Sequence, residues 1–160
     1  MSKTLSNSEK AFRALLRAMG LLRREMEPFF ARFGISGAQW GVLRILQRAE
    51  QEGHTALRLT DLGSRLLIRP PSVTVVVDRL SRLGLVERAA SDTDHRSKHV
   101  SLTAAGRSVA ELIEGHRSGQ IEKVMGGLDA QEQHDLCRLL ERLTGHLESQ
   151  VPTKTQTAAL

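Results

Sequence analysis

The chain has 160 residues, of which 40% are hydrophobic and 26% charged, and its formal net charge is +5 at pH 7. This composition excludes wholesale disorder and a collagen-like or low-complexity architecture, and no apolar run approaches the ~18 residues that a membrane-spanning helix needs. The single cysteine excludes an internal disulfide. Because the polar first residues lack the apolar stretch of a secretory signal, we expect a cytoplasmic protein without a membrane partner.

The charge is unevenly distributed along the chain. Lysines and arginines outnumber acidic residues by nine to five in residues 1–53 and again in residues 54–107, whereas residues 108–160 carry five against eight. A basic body with an acidic end is compatible with a polyanionic partner, although a surplus of this size is not diagnostic by itself.

The first predicted element is a long amphipathic helix over about residues 8–34. Its apolar residues follow the three-and-four spacing of one helix face, namely Phe12, Leu15, Leu16, Met19, Leu22, Met26, Phe29, Phe30 and Phe33. Pro28 should bend or interrupt the last turns, and Gly34 should close the helix. Ser36 and Gln39 then form the capping-box pattern of a second helix with an almost wholly apolar inner face.

Two short helices joined by a tight turn are predicted over residues 60–84. Thr60 is the predicted N-cap of the first helix, and Pro70-Pro71 supplies the fixed φ that suits the first position of the second. Apolar residues of the second helix repeat at three and four, namely Val73, Val76, Val77, Leu80 and Leu83. Such a pair has the helix-turn-helix geometry that places a helix in the major groove of DNA, although the pattern alone fits any helical hairpin equally well.

A β-hairpin is predicted directly after these helices. The segments 85–88 and 98–102 place Val86, Val100 and Leu102 on one side, and the polar loop AASDTDHRS between them has no hydrophobic anchor. A hairpin attached to a helix-turn-helix in this way is a wing.

Two further amphipathic helices are predicted over about residues 104–148. Thr103 is the predicted N-cap of the first, and a glycine pair ends it. Asp129 and Glu132 form the capping-box pattern of the last helix. Residues 149–160 are polar, contain a proline and are expected to form a flexible tail.

The first helix and the last two carry more apolar surface than a module of ~50 residues between them can cover. One interpretation is a self-contained helical bundle. The other is an obligate homodimer, in which these helices bury one another across a two-fold axis. The residues predicted for the dimer interface are Phe12, Leu15, Leu136, Leu140, Leu143 and Leu147.

The run DRLSRLGLVERAASDTDHRSKHVSLTAAG, residues 78–106, resembles the winged-helix segment of the MarR (multiple antibiotic resistance regulator) family of bacterial transcription regulators. The matching wing residues are Asp94, Arg96, Val100, Leu102, Thr103 and Gly106, and the flanking matches are Asp78-Arg79-Leu80 and Gly84-Leu85-Val86. The order of the elements also agrees over residues 8–148. We expect these residues to form one domain, with a DNA-binding core at about 55–103 and dimerisation helices at about 8–34 and 104–148.

The resemblance implies a mainly α fold with a small β-hairpin wing, in which a winged helix-turn-helix core is flanked by N- and C-terminal dimerisation helices. It also implies a homodimer that binds a pseudo-palindromic operator in double-stranded DNA, more often as a repressor than as an activator. A small phenolic or aromatic carboxylate effector would release it. The alternative is a protein-interaction module, or one that binds DNA without sequence specificity, that has kept the winged shape.

By position, the resemblance also implies which residues contact DNA. Ser72, Thr74 and Val75 would face base edges. Arg96 would enter the minor groove, held by a charge-assisted bond from Asp94. The candidates for phosphate contacts are Arg69, Lys98, His99 and Ser101. The family often has a polar or basic residue at the position of Val75, where a valine offers apolar contact with a thymine methyl instead.

The resemblance implies that the effector binds in a crevice between the dimer arms and the winged core, and a pocket there needs apolar walls and one cation, which the first two helices offer. Its candidate lining residues are Met26, Phe30, Trp40 and Arg44, which are equally compatible with plain core. We expect no enzyme activity, cofactor or metal site, since no catalytic motif is present and His134 and Cys137 lack further ligands on their helix. Cys137, beside the leucine stripe, is expected to be buried and inert.

Overall fold

The computed structural model describes residues 5–66, 70–90 and 98–150, in which helices and short strands alternate. The chain forms two compact units, Met1–Gln120 and Ile121–Leu160. The elements are α1 (Asn7–Ala31), α2 (Gly37–Gln51), β1 (Leu57–Arg58), α3 (Leu59–Leu66), α4 (Pro70–Arg82), β2 (Val86–Ala90), β3 (Lys98–Leu102), α5 (Ala104–Met125) and α6 (Ala130–Gln150). The predicted fold class, a mainly α chain with a winged helix-turn-helix core, is confirmed.

Capping boxes begin both of the first two helices. At α1 the Glu9 N–H donates to Ser6 Oγ at 3.2 Å and the Ser6 N–H donates to Glu9 Oε2 at 2.8 Å. At α2 the Gln39 N–H donates to Ser36 Oγ at 3.3 Å and the Ser36 N–H donates to Gln39 Oε1 at 2.8 Å. Each box satisfies two backbone donors that have no partner within the helix, so local sequence alone sets where these helices start.

The first helix of the helix-turn-helix differs from its prediction at the start. Thr60, the predicted N-cap, lies inside α3, and its carbonyl accepts a hydrogen bond from Ser64 Oγ at 3.1 Å. The two residues before α3 form β1, which the sequence analysis missed because two residues are too few to show strand alternation.

The second helix, α4, begins at Pro70 as predicted and ends one residue before Leu83. Leu83 was expected on the buried face and is instead 52% exposed, directly after the last residue of the helix. Gly84 reverses the chain with φ +70, a conformation that a Cβ disfavours.

The predicted hairpin is part of a three-stranded antiparallel sheet in the order β1-β3-β2. In one row across the sheet, Leu57 lies opposite Val100, which lies opposite Arg88. In the next row Arg58 lies opposite His99 and His99 opposite Ala89. Successive residues of a strand point to opposite faces. Leu57 and Val100 are buried and Arg58 is exposed, so the first row faces the core.

The core of the first unit joins the end of α1, α2, α3, α4, the sheet and the first half of α5. Its largest fully buried side chains are Val42, Leu43, Leu46, Leu62, Val73, Val77, Leu80, Val100, Leu102 and Ile113. These are mostly branched aliphatic residues, each of which stabilises the folded chain by about 1.5–3 kcal/mol when it leaves water.

The start of α5 is held tightly against the sheet side of the core. Thr103 Oγ1 caps the helix by accepting from the Gly106 N–H at 3.0 Å, as predicted, and it donates to the Gly84 carbonyl at 2.6 Å. A Cβ at Gly106 would overlap the Leu85 carbonyl oxygen and lie 3.3 Å from Leu102 Cδ2. The backbone of α5 therefore approaches the core more closely than any residue with a side chain permits.

An ion pair joins the first turn of α5 to α2. Arg107 Nη2 lies 2.7 Å from Glu50 Oε1, and Arg107 Nε lies 2.9 Å from Glu50 Oε2. This paired geometry raises the pKa of Arg107 above its ordinary value, first through the hydrogen bonds to Glu50 and then through their opposite charges.

In the second unit, α6 begins at the predicted capping box, where the Glu132 N–H donates to Asp129 Oδ1 at 2.9 Å. None of the described residues of α6 is buried. The expectation of a buried Cys137 is therefore wrong: its thiol is exposed and donates to Glu141 Oε1 at 3.4 Å, and this carboxylate raises the pKa of the thiol. The helix continues through Gln150, two residues into the predicted tail, and residues 151–160 lie outside the described residues.

Gly106→Ala tests the close approach of α5. We expect the added Cβ to force the helix away from Leu85, lowering the free energy of unfolding by about 1–3 kcal/mol or more. The matched control is Gly145→Ala on α6, where a Cβ meets no atom within 4 Å and alanine should be neutral or stabilising by about 0.5–1 kcal/mol. Urea unfolding of both variants at one protein concentration measures the difference, and equal stability of the two variants would contradict the packing described.

Candidate nucleic-acid interface

The exposed face of α4 carries the side chains predicted to read bases. Val73, Val77 and Leu80 are fully buried on the opposite face, which fixes the side that the helix turns outward. Ser72 is exposed and Val75 is 49% exposed, so both can reach a partner molecule. The Thr74 side chain is half-buried at the edge of this face, and its backbone carbonyl accepts a hydrogen bond from Arg88 Nη2 at 3.4 Å.

Three of the four candidate phosphate-contacting residues fall in or beside the sheet. Lys98 is the first residue of β3, and His99 is half-buried in the row of the sheet that faces away from the core. Ser101 Oγ donates to Glu87 Oε1 at 3.2 Å on that same face. A phosphate contact by Ser101 would bring two negative groups together, so this assignment is the least favourable of the set.

Arg69, Asp94 and Arg96 lie outside the described residues, and their roles stay predictions. Arg69 belongs to the connection between α3 and α4. Asp94 and Arg96 belong to the connection between β2 and β3, the position of a wing tip in the chain order.

An ion pair between β2 and α4 had no assigned role in the sequence analysis. Arg88 Nη1 lies 2.8 Å from Asp78 Oδ1, with the two side chains 23% and 42% exposed. Arg88 Nε is buried without a hydrogen-bond partner among the described residues. Asp78 had been noted only as part of a family pattern. No sequence spacing could reveal the pair, because its two members meet across a turn between a helix and a strand.

A cavity of about 440 Å³ beside β1 and α3 adds cations that the sequence analysis missed, Arg58 and Arg65. Its other lining residues are His54, Ala56, Leu57, Asp61, Ser64 and His99. Arg65 Nη1 lies 3.3 Å from Glu52 Oε2, and Arg48 and then Arg65 hold the pKa of Glu52 below its ordinary value. Asp61 in the lining and Glu52 beside Arg65 offset the positive charges of Arg58 and Arg65, so this surface carries both signs of charge.

A groove of about 1110 Å³ between α1 and α2 contains two of the four candidate effector residues, Met26 and Phe30. Trp40 does not line it: the indole is buried and stacks on Phe30, with ring centroids 6.1 Å apart. Arg44 does not line it either and lies exposed elsewhere on α2. Trp40 is a core residue, an alternative that the sequence left open, and Arg44 faces solvent, so the structure brings neither of them to this groove.

The cations of the groove come from α1, as Arg23 and Arg24. A carboxylate is also present in it, because Glu27 Oε2 accepts a hydrogen bond from the Gly37 N–H at 3.3 Å. Apolar walls and two guanidinium groups in one groove suit a small aromatic anion. The cation proposed from the sequence is Arg44 of α2, whereas this groove offers Arg23 and Arg24 of α1.

The predicted dimer-interface residues lie at or near the surface of the single chain. On α1, Phe12 is exposed and Leu15 half-buried. On α6 all four predicted residues are exposed, namely Leu136, Leu140, Leu143 and Leu147. Apolar side chains spaced along one face of a helix and left in water indicate a surface that associates.

The described residues hold no group of three or more His, Cys, Asp or Glu side chains placed to bind a metal ion. Among the helices in this part of the chain, none has the length and apolar content to cross a membrane.

Comparison with known proteins identifies the family. A sequence model of the MarR family matches residues 33–97. The HTH-type transcriptional regulator YkoM of Bacillus subtilis is 30% identical over 113 residues, covering 71% of this chain and 70% of YkoM. The homoprotocatechuate degradative operon repressor of Escherichia coli is 27% identical over 128 residues, covering 80% of this chain and 83% of the repressor.

A solved structure agrees in fold. The structure of BpsR from Bordetella bronchiseptica matches 85% of this chain and 99% of its own with a TM-score of 0.75, at 24% identity. The sequence matches, the winged helix-turn-helix core and the exposed face of α4 lead to the same assignment. The chain belongs to the MarR family of winged-helix transcription regulators.

Proposed function

We propose that this protein is a homodimeric, sequence-specific DNA-binding repressor that a small aromatic carboxylate or phenolic effector releases from its operator. The observation that carries the proposal is the division of α4, with one face fully buried and the other presenting Ser72 and Val75 to solvent. The protein would work in the cytoplasm, where a bacterial chromosome lies, and the proposal assigns it no catalytic activity, cofactor or metal.

A homodimer accounts for the apolar surface on α1 and α6. A self-contained bundle would bury the leucine stripe of α6 within one chain, yet none of the described residues of α6 is buried. Removing such a stripe from water stabilises an assembly by roughly 25 cal/mol per Å². A two-fold dimer presents two copies of α4, so we expect half-sites about 10 bp apart in the operator.

An effector of aromatic carboxylate type fits the groove between α1 and α2. The structure of BpsR concerns regulation of its DNA binding by 6-hydroxynicotinic acid, and the repressor of Escherichia coli is named for a homoprotocatechuate degradative operon. In this chain Phe30 gives the groove an apolar wall, and Arg23 and Arg24 supply positive charge. Such a ligand controls DNA binding only if it has different affinities for the free and DNA-bound shapes.

Selection of bound fragments from a random DNA pool tests the function directly. We expect a two-fold symmetric sequence to emerge. The selected fragment should then bind at least about a thousandfold more tightly than a scrambled fragment at ~150 mM salt. Equal affinity for both fragments would instead support the alternative, a winged module that binds DNA only through charge.

Arg96→Ala tests the wing. Loss of a groove contact should weaken operator binding by about 1–3 kcal/mol, measured by fluorescence anisotropy on the selected fragment. Arg142→Ala, which removes the same charge from an exposed position on α6, should bind within about twofold of the parent. Parent-like affinity of the Arg96 variant would show that the wing assignment is wrong.

Leu140→Lys tests the dimer. A charge within the leucine stripe of α6 would be buried without a partner at the interface, so we expect monomers or insoluble protein. His134→Lys places the same side chain on the opposite face of α6 and should leave the dimer intact. Sedimentation equilibrium gives the mass of each variant, and a folded dimer of the Leu140 variant would remove α6 from the interface.

The groove assignment predicts which arginines bind an effector. Replacing both Arg23 and Arg24 by Gln should weaken binding of a hydroxybenzoate or hydroxypyridine carboxylate by about tenfold to a hundredfold, because a charge-assisted hydrogen bond contributes about 1.5–3 kcal/mol. Arg44→Gln should leave the affinity unchanged. Calorimetric titration of both variants decides between the two positions, and a larger loss in the Arg44 variant would reject the groove.

A further inference from the structure

We propose that Arg88 is a positioning residue for DNA recognition, which fixes the rotation of α4 relative to β2. This inference rests on the proposed function. Arg88 is assigned no contact with DNA and acts through α4.

The Arg88 side chain spans one turn of α4. Nη1 lies 2.8 Å from Asp78 Oδ1, and Nη2 donates to the Thr74 carbonyl at 3.4 Å. Residues four apart lie one above the other on the same side of a helix. A single planar guanidinium therefore contacts α4 at two heights along its axis, and rotating the helix about that axis would stretch both contacts together.

The position of Arg88 in the sheet explains why it points at α4. Arg88 lies in the same row as Val100 and Leu57, both buried, so its side chain leaves the sheet on the core side. It is the polar member of an otherwise apolar row. The chain thus places a cation where an aliphatic side chain would pack.

The energetics argue against a purely stabilising role. The Arg88 side chain is 23% exposed and its Nε is buried without a partner among the described residues, so desolvation opposes the attraction to Asp78. Replacing a buried ion pair by apolar residues of similar volume is often neutral for stability. Val73, Val77 and Leu80 already bury this helix against the core. The ion pair adds a preferred rotation of α4 about its axis, because hydrogen bonds are directional and aliphatic contacts are not.

The rotation of α4 about its axis determines where its exposed face lies. Ser72 lies two residues from Thr74 and Val75 lies three residues from Asp78, so a small rotation of the helix moves both across the base edges that they would read. A contact misplaced by about 1 Å loses most of a hydrogen bond. Phosphate contacts tolerate such a shift better, since they depend mainly on charge.

Arg88→Met tests the inference, with Arg117→Met as the matched control. Arg117 also pairs with a carboxylate, at 2.7 Å from Glu114 Oε1, and the two side chains are 28% and 46% exposed, but both members lie on α5. We expect the two variants to have similar unfolding free energies, because the carboxylates that lose their partner, Asp78 and Glu114, are similarly exposed to solvent at 42% and 46%. Arg88→Met should bind the selected operator at least about tenfold more weakly and scrambled DNA within about twofold of the parent, whereas Arg117→Met should leave both affinities unchanged.

Two further variants separate positioning from charge. Arg88→Lys keeps the charge but cannot hold both partners on α4 with one planar group, so it should recover only part of the operator affinity. Asp78→Asn removes the charge of the pair with little change of shape and should lose operator affinity by a factor similar to that of Arg88→Met. It also supplies the test if Arg88→Met does not fold. The double variant Asp78→Asn with Arg88→Met should be no worse than either single variant.

Three outcomes would overturn the inference. Parent-like discrimination by Arg88→Met shows that the pair does not position the helix. Equal losses on operator and scrambled DNA, with a smaller dependence of affinity on salt, show a direct phosphate contact instead. If the parent chain itself binds both fragments equally, the proposed function fails, and this inference with it, whereas a discriminating parent confines the failure to Arg88.

Discussion

Burial of one aliphatic face of α4 is the constraint on which the rest of the structure depends. Val73, Val77 and Leu80 are withdrawn completely from water, so the helix has one permitted side toward the core. That choice turns Ser72 and Val75 outward into solvent. Short branched side chains pack closely but tolerate some rolling of a helix, and the contacts of Arg88 with Asp78 and the Thr74 carbonyl remove this remaining freedom.

A second constraint is the contact between α5 and the core. Gly106 brings the helix backbone against the Leu85 carbonyl, Thr103 ties its first turn to Gly84, and Arg107 pairs with Glu50 on α2. Three different kinds of interaction thus act within five residues. The first turn of α5 and the core therefore behave as one rigid piece, so a displacement of this turn would be transmitted to the sheet and not absorbed locally.

The starts of α2 and α6 were predictable from sequence because caps are local. Ser36 with Gln39 and Asp129 with Glu132 satisfy one another across three residues, so their spacing alone identifies them. Thr60 failed as a cap because β1 runs directly into α3, and a neighbouring strand determined where that helix starts.

Other features of the site depend on contacts between distant parts of the chain. Trp40 and Phe30 are ten residues apart, and only their stacking shows that the first is core while the second also lines the groove. The pair of Arg88 and Asp78 likewise requires the turn that brings β2 back beside α4. The burial of Cys137 was predicted wrongly for a related reason. A residue beside a leucine stripe is buried within one chain only where another part of that chain covers the stripe, and none of the described residues of α6 is buried.

Phe30 belongs both to the groove and to the core, so a ligand in the groove would contact a core side chain directly. Its ring belongs to the buried cluster, stacks on Trp40 and also forms part of the groove wall. A ligand that packs against this ring therefore contacts a side chain whose position the core already determines. Because close-packed interiors transmit small displacements, a ligand that fits one position of Phe30 better than another would favour one arrangement of α1 against α2. An anion there would also attract Arg23 and Arg24 and repel the Glu27 carboxylate, whose contact with the Gly37 N–H joins α1 to the start of α2.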